Sequence, residues 1–185
     1  QAVGSDKLTY TLSQTSVRNA GEHTVTLTLT GDTAEKYTIA PGHGSRTVTI
    51  EPYAAEVQWV GTSFTYNGEV KQPTATAQGV GSDGALTLTV SGGETDAGDY
   101  TARASVEDGN YTLQNPEQDF TIARRQITVS AWSGGSFTYN GEAQYPEASA
   151  LGDVVADDGD DVLAALTYTG YGTNAGSYTV RAQLA

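Results

Sequence analysis

The chain has 185 residues, with 22 Asp and Glu against nine Lys and Arg, a net charge of −13. That charge repels phosphate backbones and anionic membrane surfaces and sets nucleic-acid binding aside. Cysteine is absent, so disulfide frameworks and thiol-based metal or redox motifs are excluded.

Methionine is missing too, even at position 1, and no stretch approaches the ~20 apolar residues of a membrane span or reads as a signal peptide. The chain is therefore expected to be cut from a longer polypeptide that carries any anchor or export signal.

Residues 1–53 begin with the alternating run Leu8-Thr9-Tyr10-Thr11-Leu12, which puts one face on a core and the other in water. A turn signal at Asn19-Ala20-Gly21 leads into a second run through Leu29. Lys36-Tyr37-Thr38-Ile39 and Thr47-Val48-Thr49-Ile50 give two more, on either side of the breaker Pro41-Gly42-His43-Gly44. Four strands and no helix are expected.

Residues 54–125 start with a strand bearing Trp59 and continue into Phe64-Thr65-Tyr66-Asn67-Gly68-Glu69, where an alternating aromatic run meets Asn-Gly. That dipeptide readily adopts the positive φ angles of a tight turn. Pro73 to Ala77 and Leu86 to Val90 read as further strands. The pattern of the first segment then returns: Asp96-Ala97-Gly98-Asp99-Tyr100-Thr101 matches Asn19 to Thr24, Asn110 to Leu113 matches Lys36 to Ile39, and Asp119 to Ile122 matches Thr47 to Ile50.

Residues 126–185 repeat the front of the second segment. Trp132 stands 73 residues after Trp59, and the six residues Phe64 to Glu69 return unchanged as Phe137-Thr138-Tyr139-Asn140-Gly141-Glu142. Leu166 to Thr169 and Asn174-Ala175-Gly176-Ser177-Tyr178-Thr179-Val180 follow, with no counterpart to the strands ending at Ile50 and Ile122. A period of this length marks a repeat array. It divides the chain into the C-terminal half of a module (1–53), a complete module (54–125) and the N-terminal part of a third (126–185). The junctions, Glu51 to Ala55 and Ala123 to Gln126, read as linkers too short for flexible coil, so a semi-rigid array is expected.

Short strands bounded by Gly, Asn or Pro, with at most one helical turn at Asp160 to Ala165, point to an all-β chain of tandem small antiparallel β-sandwich, immunoglobulin-like modules. The alternative is a β-grasp-like module, which needs a packed helix of ten or more residues. Asp96 to Thr101 resembles the tyrosine corner of immunoglobulin-like domains, whose hydroxyl bonds back to nearby backbone. His23 stands where the first segment would have that tyrosine. With Tyr-Asn-Gly, Asn/Asp-Ala-Gly-x-Tyr-Thr and a closing Phe-Thr-Ile in order, the chain resembles the MBG domains of bacterial surface proteins over nearly all its length. The resemblance implies tandem immunoglobulin-like modules in large cell-surface or secreted proteins, often with adhesins at or near the tip. It brings no catalytic residues.

The residues themselves assemble no nucleophile and base. His23 and His43 have no partners at metal-ligand spacing. Asp153, Asp157, Asp158, Asp160 and Asp161 crowd a loop five residues longer than in the complete copy, an oxygen-rich setting of the kind calcium takes. Their spacing fits no EF-hand, and a solvated acidic loop is the simpler reading. No other cofactor is indicated.

The recurring aromatics Trp59, Phe64, Tyr66, Tyr100, Tyr111, Phe120, Trp132, Phe137, Tyr139 and Tyr178 suit either sugar stacking or a core. Recurrence favours the core, because a core must be rebuilt in every copy. Asn67, Gly68, Gly98, Asn140, Gly141 and Gly176 supply the turns. Lys7, Lys36 and Lys71 occupy three different module positions, which argues against a shared isopeptide crosslink.

The expected role is a non-enzymatic stalk or spacer of an extracellular, cell-surface or secreted bacterial protein, its partners the neighbouring modules of a longer chain. The alternative is an adhesin module that grips a host glycan or protein through Gly152–Asp161 and Gly79–Gly84, where the copies differ most. A hydrolase decorated with such modules would carry its catalytic part elsewhere. The two half-modules present a further choice: either the chain was cut from a longer array, the simpler account, or one chain's tail completes the next chain's head.

Overall fold

The computed structural model describes residues 4, 6–155 and 158–184, apart from the side chain of Asp160. The regular structure of the described chain is strand apart from one short α-helix and a 3-10 turn, as the alternating runs require. In chain order these are β1 Thr9–Leu12, β2 Gly21–Thr30, β3 Ser45–Ile50, β4 Tyr53–Glu56, β5 Gln58–Val60, β6 Ser63–Thr65, β7 Thr74–Thr76 and β8 Leu88–Ser91. They continue with β9 Gly98–Val106, β10 Tyr111–Gln114, β11 Glu117–Ala123, β12 Thr128–Ser133 and β13 Glu147–Gly152. The helix α1 Gly159–Ala164 and the strands β14 Leu166–Thr169 and β15 Arg181–Leu184 complete the order.

The chain divides into two compact units, one of Gln1–Val60, Pro73–Ser91 and Ala102–Gln118, the other of Gly61–Gln72, Gly92–Thr101 and Asp119–Ala185.

In the first unit, β1, β2 and β3 form an antiparallel sheet, β5 pairs antiparallel with β7, and β8 pairs antiparallel with β9. β4 lies parallel to β10, with Tyr53 opposite Tyr111 and Ala55 opposite Leu113. The core forms where Ala55, Ala77 and Tyr111 are buried against Leu86, Leu88, Val106 and Leu113. Alternation sets this up, since β9 reads buried at Ala102 and Ala104 and exposed at the residues between. The β1 to β3 sheet has no such cover, and Tyr10, Leu12 and Val48 stay exposed.

In the second unit, β6 lies parallel to β11, Ile122 opposite Phe64, β12 pairs with β13 across a bulge, and β14 pairs with β15. Phe120 and Ile122 are buried here.

Several expectations change. The antiparallel sandwich description holds for most ladders, but β4–β10 and β6–β11 are parallel, which alternation cannot reveal. Lys36 to Ile39 is not a strand: a 3-10 turn occupies Ala34–Lys36 and the residues after it make no ladder. The matching run in the second segment is β10, which exists by pairing with β4, and residues 1–53 hold no counterpart of β4. Tyr53 to Ala55, read as linker, is instead β4 itself, with Ala55 1% exposed.

Phe137 to Tyr139 forms no ladder although its sequence equals that of β6. The partner of β6 is β11, and residues 126–184 have no equivalent of it. Asn174 to Val180 runs as turn and coil, the strand beginning only at Arg181. Residues 54–125 are all described and contain no helix, which removes the β-grasp alternative.

Candidate functional site

The recurring motif residues of the second segment are turned onto one another. Phe64 meets Phe120 edge to face at 5.9 Å, and Tyr100 leans on the same Phe120 ring at 5.7 Å. Trp59 donates its indole N–H to the Asn115 carbonyl at 3.1 Å. Tyr66 donates its hydroxyl to Asp158 Oδ2 at 2.8 Å. The Tyr111 hydroxyl accepts the Val80 N–H at 3.0 Å and donates to Asp83 Oδ2 at 2.6 Å. Its pKa is raised above the ordinary tyrosine value, chiefly because the Asp83 carboxylate holds its proton.

The Asn-Gly turns are Asx turns rather than turns with two left-handed residues. Only the glycines have positive φ, Gly68 at +79° and Gly141 at +85°. The asparagine side chain closes the turn instead: Glu69 N–H donates to Asn67 Oδ1 at 3.1 Å, and Glu142 N–H to Asn140 Oδ1 at 2.9 Å. Asn67 Nδ2 also donates to Glu69 Oε2, and Lys71 stands 3.4 Å from the same oxygen. These two neighbours, Asn67 first, lower the Glu69 pKa.

The tyrosine-corner bond is present in the third segment, where the Tyr178 hydroxyl donates to the Asn174 carbonyl four residues upstream at 2.9 Å. His23 makes the same bond with its ring, Nε2 donating to the Asn19 carbonyl at 2.7 Å. The departure from tyrosine therefore preserves the corner, because an imidazole N–H reaches the same acceptor. Gly98 lies under the Tyr100 ring, where a Cβ would meet the hydroxyl at 2.8 Å.

In the third segment a groove of about 470 Å³ opens between Phe137 and Tyr178, with Ser136, Glu142, Asn174 and Val180 among its walls. Phe137 and Tyr178 are each 48% exposed, and Tyr139 is exposed as well. Beside this region lies an aromatic cluster that the sequence reading missed: Trp132 meets Tyr168 at 6.2 Å, Tyr168 meets Tyr145 at 5.5 Å, and Tyr145 stacks on Tyr171 at 4.4 Å. The three tyrosines occupy positions held by Val90, Gln72 and Gly93 in the second segment. The signal was their failure to recur.

The described part of the acidic loop has separate local partners. Asp158 opens α1 and takes the Tyr66 hydroxyl, and Asp153, at φ +64°, gives its backbone carbonyl to Arg125 Nε. Asp161 is exposed, while Asp157 and the Asp160 side chain lie outside the described residues. Among the described residues no three His, Asp or Glu side chains stand at metal-binding distances. Of the lysines, Lys36 pairs with Asp6 at 3.8 Å and Lys71 with Glu69.

Of the recurring aromatics expected in a core, Phe64, Tyr100 and Phe120 pack on one another as a structural repeat does, whereas Trp132, Phe137, Tyr139 and Tyr178 of the third segment are exposed and Tyr66 reaches Asp158. A family model described as the MBG domain matches residues 55–126, so this β-rich part of the chain is similar to MBG domains. Comparison with curated proteins and with solved structures finds no match. No helix among the described residues is long and apolar enough to cross a membrane.

Proposed function

We propose that the chain is a non-enzymatic spacer segment of a bacterial cell-surface or secreted protein, built of consecutive modules bounded near residues 53 and 125, that projects a functional tip away from the cell. The observation that carries this reading is the inward engagement of the recurring side chains: Phe64, Tyr100 and Phe120 on one another, and Tyr111 on Asp83. A repeat whose signature residues form its own core is maintained for shape, and shape is what a stalk supplies. The net charge of −13 keeps such a segment soluble and apart from anionic surfaces.

No cofactor enters this reading, and adding calcium is expected to leave the thermal midpoint unchanged. An array of host glycans and extracellular host proteins, probed with the whole chain, is expected to be blank. A saturable spot on it would overturn the spacer role.

The second reading, an adhesin module, is favoured by the non-recurring cluster of Trp132, Tyr145, Tyr168 and Tyr171, since aromatic surface that no module core demands suits a glycan face. On that reading a spot on the array is lost in Tyr171→Ala.

A further inference from the structure

We propose that the loop after β7, and its longer counterpart after β13, is a docking element whose partner is the preceding segment of the same chain. The loop of residues 79–84 holds the first segment, and Val154, Val155 and Asp158 of the other loop hold the second. The inference rests on the modular division used for the spacer, and it names the surface by which one module fixes the next.

Each compact unit spans a module boundary instead of stopping at it. Residues 1–60 group with 73–91 and 102–118 of the second segment, and residues 119–185 group with 61–72 and 92–101. Modules on a short link swing by default unless an interface restrains them. The two loops supply that restraint.

At the first boundary the loop is shaped from its own side. Gly79 N–H donates to the Gly84 carbonyl at 2.7 Å, Asp83 N–H donates to the Val80 carbonyl at 3.1 Å, and Asp83 Oδ2 accepts the Tyr111 hydroxyl. The other carboxylate oxygen faces the first segment, and Arg18 Nη2 donates to it at 2.8 Å. Beside the loop, Asn110 uses its two oxygens in the same way: its backbone carbonyl accepts the Tyr53 N–H at 2.8 Å, and its Oδ1 accepts the Ala20 N–H at 2.7 Å. Asp108 sets which way that amide faces, because its Oδ1 accepts from Asn110 Nδ2 at 2.9 Å. The Arg18 side chain is 81% exposed, so its ion pair is the weaker hold and the part-buried Asn110 bond the stronger.

At the second boundary the matching face of the preceding segment is met by different chemistry. Asp158 accepts the Tyr66 hydroxyl, and Val155 lies so near Gly68 that a Cβ there would meet its Cγ1 at 3.1 Å. Val154, Val155 and Val162 share the walls of one pocket with Asp96 and Ala97. Ala97 is the counterpart of Ala20, so both loops look onto the turn that opens the corner strand. One aspartate in each loop is the acceptor, but its donor is a guanidinium in one case and a phenol in the other. Thr95 stands where Arg18 would be and offers no cation, so each loop is matched to the segment it follows.

The cysteine-free chain takes spin labels at chosen sites, and double electron–electron resonance on the full chain reads the spread of distances across each boundary. Thr28→Cys with Thr112→Cys spans the first boundary and Thr65→Cys with Thr169→Cys the second, all at exposed strand positions. One narrow distribution is expected for each pair. Asn110→Ala should cost the first pair its narrow peak and leave the second unaltered, as should Arg18→Glu, an exposed change that sets a carboxylate against Asp83. Tyr66→Phe combined with Val155→Ser should do the reverse. Three results would overturn the docking: a broad distribution in the wild-type chain, a pair indifferent to its own variants when circular dichroism shows them folded, or variants that loosen both pairs alike. None of these would put a spot on the glycan array, so the docking can fail while the spacer role stands.

Discussion

The buried Tyr111 donates its hydroxyl to the exposed Asp83 carboxylate at 2.6 Å, and Tyr37 and Asp6 repeat the bond at 2.9 Å in the first segment. The bond ties the start of β10 to the loop ahead of β8. Because the folded state raises the Tyr111 pKa, the pair's stabilisation is whole below about pH 10, the ordinary tyrosine value, and is lost as pH rises through the higher folded value. Tyr111→Phe is expected to lower the urea midpoint without changing the slope, whereas Tyr10→Phe, on an exposed side chain, leaves it unmoved. Tyrosinate absorbance should show one residue titrating later in the wild type than in Tyr111→Phe.

Phe120→Ala removes the ring that both Phe64 and Tyr100 pack on, and should cost about 3–5 kcal/mol. Phe137→Ala, at a half-exposed ring with no such filler, should cost about 0.5 kcal/mol or less. Paired urea titrations of the two variants check the contrast. Equal losses would show that the third segment packs its aromatic ring as the second does.

Tyr178→Phe deletes the corner bond to Asn174 and should cost about 0.5–1.5 kcal/mol. His23→Tyr should keep the first segment's stability and His23→Phe should reduce it, since the bond to Asn19 is what the ring supplies. Hydrogen-exchange protection at β2 is the local readout.

Glu69 has a folded pKa below the ordinary glutamate value of 4.5, held there first by Asn67 and then by Lys71. A lowered carboxylate contributes stability above its unfolded pKa and loses it as pH falls through the folded one, so the contribution disappears only below about pH 4.5. Asn67→Ala is expected to shift the Glu69 titration up toward the ordinary value in carboxyl-detected NMR. An unchanged titration would assign the effect to Lys71.

Local alternation was enough to locate β2, β8, β9 and β11, because each alternates around a buried face or a ladder that its own sequence announces. It failed where a strand's existence depends on a distant partner. Asn110 to Leu113 and Lys36 to Ile39 look alike, yet only the former has β4 beside it. Ser63 to Thr65 pairs with β11, while the identical Phe137-Thr138 run, lacking that partner, makes no ladder. Strand preference is a preference for a paired, half-covered surface, so identical hexapeptides can differ. Tyr53 to Ala55 failed in the opposite direction, a strand mistaken for a connector.

At the site, recurrence pointed to the packing of Phe64, Tyr100 and Phe120, while the corner bond read at Asp96 to Thr101 is seen instead at Tyr178 and, through an imidazole, at His23. The Tyr111–Asp83 pair was not singled out, although Gly-Ser-Asp occurs at both 4–6 and 81–83. The cluster of Tyr145, Tyr168 and Tyr171 escaped because Tyr145 is distant in sequence from the other two and meets them only in the folded chain.

The Asx turns at Asn67-Gly68 and Asn140-Gly141 also bear on how this protein ages. Asparagine before glycine loses ammonia when the glycine nitrogen attacks the carboxamide carbon, forming a succinimide that opens to isoaspartate. Here each carboxamide oxygen holds the N–H two residues on, Asn67 Nδ2 is bound to Glu69, and Asn140 Oδ1 also accepts from Gln144. Ring closure must first break those bonds, so folding slows the chemical clock at both sites. Peptide maps of stored protein should find isoaspartate accumulating in unfolded chains first, each event adding a negative charge and an extra backbone carbon to the turn that leads out of the recurring aromatic run.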